Sequence, residues 1–264
     1  MFAKLLKHEF KSVAGLLGLL CLGCLGMSLA GGLILRYLVQ TPSWKIGDVL
    51  EAILPLALVF MFFALIAVAV GSWIYLCIQF YKRKFTDEGY LTFTLPVSPW
   101  QIYLSSFLNF LLWTILIGLA ILASLCCVFL IGFVNTEAWE YMVTEMDFTE
   151  IRLVFYELDI FRPGYSIVQF VTGILVVMNC ITVGAVIAKK HKAIAAFAMY
   201  YLLTMMTSVI STVLSTVLSI AVYDMDPLRV LQTMQTVNLL ISSVLGLGGA
   251  VLSVWLMKKK LNLP

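Results

Sequence analysis

Charged residues are what this sequence has least of. Asp, Glu, Lys and Arg make up 12% of its 264 residues, about half of the roughly 25% usual in soluble domains. Hydrophobic residues make up 62%, and the mean hydropathy is +1.03. A soluble fold has too little interior to hide that much apolar surface. The composition specifies a polytopic membrane protein and leaves no room for a separate soluble catalytic domain.

Histidine is scarcer still. His8 and His191 both lie in basic segments outside the apolar runs. The apolar runs hold no cluster of His, Glu, Asp and Cys at ligand spacing and no nucleophile beside a base, which argues against a metal enzyme or an intramembrane protease. Gly-x-x-x-x-Gly-Lys-Ser/Thr is absent, so the chain has no P-loop route to ATP. The reading is not an enzyme, with no cofactor or metal of its own and no nucleic-acid partner. Cys21, Cys24, Cys77, Cys126, Cys127 and Cys180 lie in or beside apolar runs and read as small hydrophobes. The Cys-x-x-Cys of Cys21 and Cys24 sits on one helical turn without further ligands, so packing is its expected role.

Six apolar runs are long enough to cross a bilayer core of roughly 30 Å as helices: residues 13–39, 52–80, 102–134, 165–188, 193–222 and 230–257. The expected fold is all-α, six transmembrane helices forming a single transmembrane domain over 1–264. With the amino terminus in the cytoplasm, Lys4, Lys7, Lys11, Lys82, Arg83, Lys84, Lys189, Lys190, Lys192, Lys258, Lys259 and Lys260 fall inside, leaving Arg36, Lys45, Arg152, Arg162 and Arg229 outside. The positive-inside rule then places both termini in the cytoplasm of a multi-pass cell-membrane protein. Ser28-Leu29-Ala30 looks like a signal-peptidase site, but the apolar run continues well past it, which predicts a retained anchor.

The last five runs hold no Asp, Glu, Lys, Arg or His between their ends, and the first holds only Arg36 near its outer end. Proton-coupled carriers keep ionisable groups at membrane depth. A self-powered proton antiporter is therefore not the reading.

The amino terminus, residues 1–11, places Phe2, Leu5, Leu6, Phe10 and Val13 on one helical face and Lys4, Lys7, His8 and Lys11 on another. That pattern predicts an amphipathic helix in the cytoplasmic interface, its lysines near anionic headgroups; the plainer reading is an extension of the first span. The inside loop, 81–100, opens on Lys82-Arg83-Lys84. Thr86 is placed to cap a short helix whose first turn carries Asp87 and Glu88. Pro96 disfavours helix at Leu95, and Ser98-Pro99-Trp100-Gln101 supplies an N-cap, a proline at N1 and a Gln at N3. The loop is expected to display Phe85, Tyr90 and Phe93 for a partner's groove, or else to rest these rings in the headgroup belt.

Thr86-Asp87-Glu88-Gly89-Tyr90-Leu91 followed by Leu95-Pro96-Val97-Ser98 resembles the loop between spans two and three in permease subunits of type-2 ABC exporters. There an acidic residue and a glycine precede a Leu-Pro-x-Ser element. The six spans, the amphipathic start and the cytoplasmic termini are similar too, so the resemblance covers nearly the whole chain. It implies a bacterial permease without its own motor, paired with a second permease subunit as a homodimer or paralogous heterodimer. A separate cytosolic ABC ATP-binding subunit would carry ATP and Mg. It maps the coupling helix onto 85–95, with Phe85, Asp87, Glu88, Gly89, Tyr90 and Phe93 meeting that ATPase. The larger outer loop departs from the better-known members, falling between spans three and four instead of five and six, so their substrate path does not carry over.

That outer loop, 135–163, is acidic, with Glu137, Glu140, Glu145, Asp147, Glu150, Glu157 and Asp159, and is interleaved with Trp139, Tyr141, Phe148, Phe155 and Tyr156. It reads as a solvated loop touching the interface or as a cap attracting cationic cargo. The fifth span carries a hydroxyl stripe through Thr204, Thr207, Ser208, Ser211, Thr212, Ser215, Thr216 and Ser219. Helix packing and a translocation path along Thr204, Ser208, Ser211, Thr212 and Ser215 are the two readings. Ser242, Gly246 and Ala250 form a close-approach face in the last span, and Gly15, Gly18, Gly23 and Gly26 suit crowding or bending in the first.

The leading functional expectation is the permease of an ABC exporter moving an amphipathic or hydrophobic cargo: peptide, antibiotic, drug or lipid. The rival is a nonenzymatic membrane adaptor or a substrate-binding component of another transporter, with the same loop merely holding a partner.

Overall fold

The structure is a computed structural model. It describes residues 2–41, 47–86, 89, 97–134, 136, 139–140, 144, 163–188, 191–221 and 227–259. Among the described residues six long helices make up the fold: α1 (Phe2–Gln40), α2 (Asp48–Phe85), α3 (Pro99–Phe133), α4 (Pro163–Ile187), α5 (Lys192–Ala221) and α6 (Pro227–Lys259). Each contains a stretch long and apolar enough to cross a membrane. The protein is an all-helical, six-span membrane protein.

The helix starts follow from local chemistry. At α3 the Ser98 N–H donates to Gln101 Oε1 at 3.2 Å and the Gln101 N–H approaches Ser98 Oγ at 3.4 Å. This is the reciprocal box that satisfies otherwise orphaned donors, with Pro99 at the first helical position. Ser98→Ala is expected to weaken this start by about 1 kcal/mol, read as faster amide hydrogen exchange over residues 100–103 and unchanged exchange in α6.

The amphipathic amino terminus corrects one expectation. Residues 2–11 are the opening turns of α1 and not a separate interfacial helix. No Gly or Pro lies between Phe2 and Ala14 to interrupt the ladder. The two faces are as the pattern predicts: Lys4, Lys7, His8 and Lys11 are exposed and Val13 is buried. Glu9, however, turns inward and is buried too.

The chain packs as two compact units, one of residues 7–76 and 112–151, the other of 1–6, 77–111 and 152–264. In the first, α1 buries Val13, Leu17, Cys24, Ser28 and Gly31, a stripe advancing by helical turns. Phe10 stacks on Trp113 of α3, ring centroids 4.7 Å apart. Further along, the same two helices interlock. A Cβ at Gly32 would lie 2.8 Å from Ile131 Cβ, and one at Gly132 2.8 Å from Leu35 Cγ. Each bulky side chain fills the space left by the other helix's glycine. The glycines singled out in the sequence, Gly15, Gly18, Gly23 and Gly26, do not take part: a Cβ on any of them would meet nothing within 4 Å. They fall beside the buried stripe.

In the other unit α4 is the central element. In its most apolar window 61% of the residues are buried, against 6–22% in the other five spans. Its contacts with α6 ascend together along both helices: the Tyr165 hydroxyl donates to the Gln235 carbonyl, Ser242 Oγ donates to Gln169 Oε1 at 3.2 Å, and Asn179 meets Gly246 and Ser253. The two helices therefore run in the same direction, as alternate spans must. Gly246 and Ala250 are buried on this face, matching the expected close approach. At the other end α4 crosses α5, where a Cβ on Gly184 would lie 2.5 Å from both N and Cα of Ala196.

Candidate functional site

The segment joining α2 to α3 holds the residues expected to meet an ATPase. Its entry is firmly built. Lys82, Arg83 and Lys84 form the last turn of α2, favourably placed against the negative end of the helix dipole, and Lys84 is only 1% exposed. Phe85 corrects the expectation of a displayed ring. It is the final residue of α2 and is buried, edge-on to Phe80 at 6.0 Å and stacked with Tyr81 at 6.2 Å. The aromatic cluster holds it in place. The Thr86 hydroxyl donates back to the Lys82 carbonyl, at the close of α2. Gly89 is buried, its N–H donating to the Thr86 carbonyl at 2.7 Å. Asp87, Glu88, Tyr90 and Phe93 lie outside the described residues, as does most of 135–163. Of that outer loop, Trp139 folds back edge-on against Phe129 of α3 at 6.1 Å.

The hydroxyl stripe of α5 varies in exposure along its length. Ser211 is buried, Thr204 is half-buried, and Ser208 and Thr212 are exposed; Ser215 lies in α5 with its side chain outside the described residues. The threonine protons are used within the helix. Thr204 Oγ1 bonds the Tyr200 and Tyr201 carbonyls at 2.9 Å each, and Thr212 Oγ1 the Ser208 carbonyl at 2.8 Å. Such back-bonding lets a hydroxyl sit in an apolar medium without a partner helix. These side chains present acceptor lone pairs, not donors.

The converging polar chemistry lies elsewhere, on α3, α4 and α6. Asn179, 6% exposed, is the hub. Its Oδ1 accepts from Tyr103 Oη at 2.7 Å and from Ser253 Oγ at 3.0 Å, and its Nδ2 donates to the Gly246 carbonyl at 2.9 Å. Gly249 makes room for it, since a Cβ there would collide with Asn179 Nδ2. One amide N–H of Asn179 is left without a partner among the described residues.

Asn179 also forms part of the wall of a cavity of about 360 Å³ between α4, α5 and α6, otherwise lined by apolar side chains and glycines. A second cleft of about 710 Å³ between α5 and α6 shares Met199, Leu203, Val244 and Leu245 with it. Among the described residues its only polar lining side chain is Thr207. Among the described residues no three His, Cys, Asp or Glu side chains are grouped to hold a metal ion.

Reading the sequence for ionisable groups passes over this centre. Tyr103, Asn179 and Ser253 are neutral, and the signal for them is an amide midway along an apolar run, Val176-Val177-Met178-Asn179-Cys180-Ile181. A side-chain amide at that depth needs partners on other helices. No protein-family model, no curated protein and no solved structure matches this chain.

Proposed function

We propose that the chain is the permease subunit of a type-2 ABC exporter, moving an amphipathic or hydrophobic cargo with ATP hydrolysed by a separate cytosolic subunit. That subunit holds the ATP and Mg. A second permease, identical or paralogous, completes the path, and both termini face the cytoplasm. The observation that carries the reading is a connector held at both ends between two membrane helices that have no ionisable group at depth. One end is the buried close of α2 at Lys84 and Phe85; the other is the capped start of α3 at Ser98. A push on this connector would reach two long helices through its two anchored ends. Motion supplied from outside is what a transport protein lacking a P-loop and a proton relay requires.

The test is co-purification with a P-loop ATPase, followed by ATP-dependent uptake into inverted vesicles. Combined replacement of Asp87, Glu88 and Tyr90 by alanine is expected to lower uptake by about thirty-fold or more, the scale of losing an interface hot spot, with thermal unfolding unchanged. Full uptake by that variant overturns the assigned contact. An isolated chain that concentrates solute without an ATPase overturns the reading itself.

A further inference from the structure

We propose that the cavity beside Asn179 is an intramembrane binding site for a neutral, long-chain ester or ketone, which enters sideways from the bilayer through the cleft between α5 and α6. The two spaces share four lining residues and so adjoin, the larger apolar cleft lying outward of the smaller cavity that holds Asn179. The mouth opens to the outside of the chain: Met206, Leu240 and Val244 at its rim are all exposed. Both helices are long and apolar enough to span the membrane, so the mouth lies at bilayer depth, where an alkyl chain can enter without leaving an apolar medium. Met199 and Met206 suit such an occupant, since unbranched thioether side chains adapt to an alkyl chain of variable shape.

The inner end decides the head chemistry. Among the described residues, Asn179 is the only one lining the inner cavity with a polar side chain other than the weakly polar Cys180. Its oxygen already accepts two hydroxyls and its nitrogen has one committed proton. What it offers is one N–H in a site of low polarity, where an unmade hydrogen bond is costly. The matching group is an acceptor without a proton, an ester or ketone carbonyl. An alcohol or a carboxylic acid would bring a donor, and no side chain in the cavity has an uncommitted oxygen to receive it. A charged headgroup would find no counter-charge among the lining residues. Apolar walls with one oriented polar group are the usual form of a small-molecule site.

The inference concerns binding by the chain alone and stands apart from the proposed coupling to an ATPase. It is tested on the purified full-length protein in nanodiscs of diether phospholipid, so that the bilayer contributes no ester carbonyl. Two photoactivatable probes are compared at equal membrane mole fraction: a long-chain fatty acid methyl ester carrying a mid-chain diazirine, and the hydrocarbon of the same length with the same diazirine.

The ester is expected to label peptides of α5 and α6 around Met199 to Ile210 and Leu240 to Leu252, saturably, and about five-fold more than the hydrocarbon, as one hydrogen bond allows. Gly248→Leu adds bulk to the cavity wall at a position where a Cβ meets nothing within 4 Å. It should abolish the difference while leaving thermal unfolding unchanged. Equal labelling by the two probes, labelling indifferent to Gly248→Leu, or displacement of the ester by diester phospholipid at ordinary membrane abundance would each overturn the proposal. The last would make the recess a seat for bulk lipid.

Discussion

Gly184→Ala is expected to be among the most damaging single-methyl changes in this protein. The added Cβ lands 2.5 Å from the N and Cα of Ala196, and these are main-chain atoms of α5, which cannot rotate aside as a side chain would. Either α4 and α5 separate along the crossing or the end of α4 distorts. Overpacking of a tight interior costs about 1–3 kcal/mol, and a backbone neighbour places this case at the upper end. The measurement is thermal unfolding of the purified protein beside Gly23→Ala, where the new Cβ meets nothing. The control should be neutral or gain up to about 1 kcal/mol from helix propensity. Similar behaviour of the two variants would refute the close crossing.

Asn179→Leu should have the next largest effect. Leucine keeps the branched shape and heavy-atom count but loses three hydrogen bonds and strands the hydroxyls of Tyr103 and Ser253, both buried. Interhelical bonds in membranes contribute about 0.6 kcal/mol each on average and up to about 1.7, so the loss is about 2–4 kcal/mol once the stranded groups are included. Tyr103→Phe and Ser253→Ala should each cost less than about 1.5 kcal/mol. Combined with Asn179→Leu they should add nothing and recover part of the loss, because the hydroxyls they remove are already stranded. Plain additivity in that double-mutant cycle would show that the hub does not hold the helices.

Much of the fold was legible in the sequence because a bilayer leaves few choices. An apolar run of sufficient length must be a helix, and the proline and serine before Trp100 fix where α3 starts. Packing detail was not legible in the same way. Gly23 and Gly32 are both glycines in the same apolar helix, and only the phase of the buried stripe tells that Gly32 meets Ile131 while Gly23 faces outward. Phe85 failed as a displayed ring for a related reason. Its neighbours four and five residues back, Tyr81 and Phe80, are aromatic and wrap it, and a reading that began the loop at residue 81 could not count them as part of its own helix. Asn179 was overlooked because charge, and not hydrogen-bonding capacity, was the quantity sought inside the spans.

The pairing of α4 with α6 sets a timetable for biogenesis. Asn179 finds its acceptor 67 residues later in the chain and Gln169 its donor 73 residues later. At a synthesis rate of about 5–20 residues per second, α4 emerges roughly 3–15 s before the helix that satisfies it. Through that interval its two amides face lipid or a helper protein. A chain stalled or truncated ahead of α6 would display a polar, adhesive helix in the membrane, a ready mark for quality-control proteolysis.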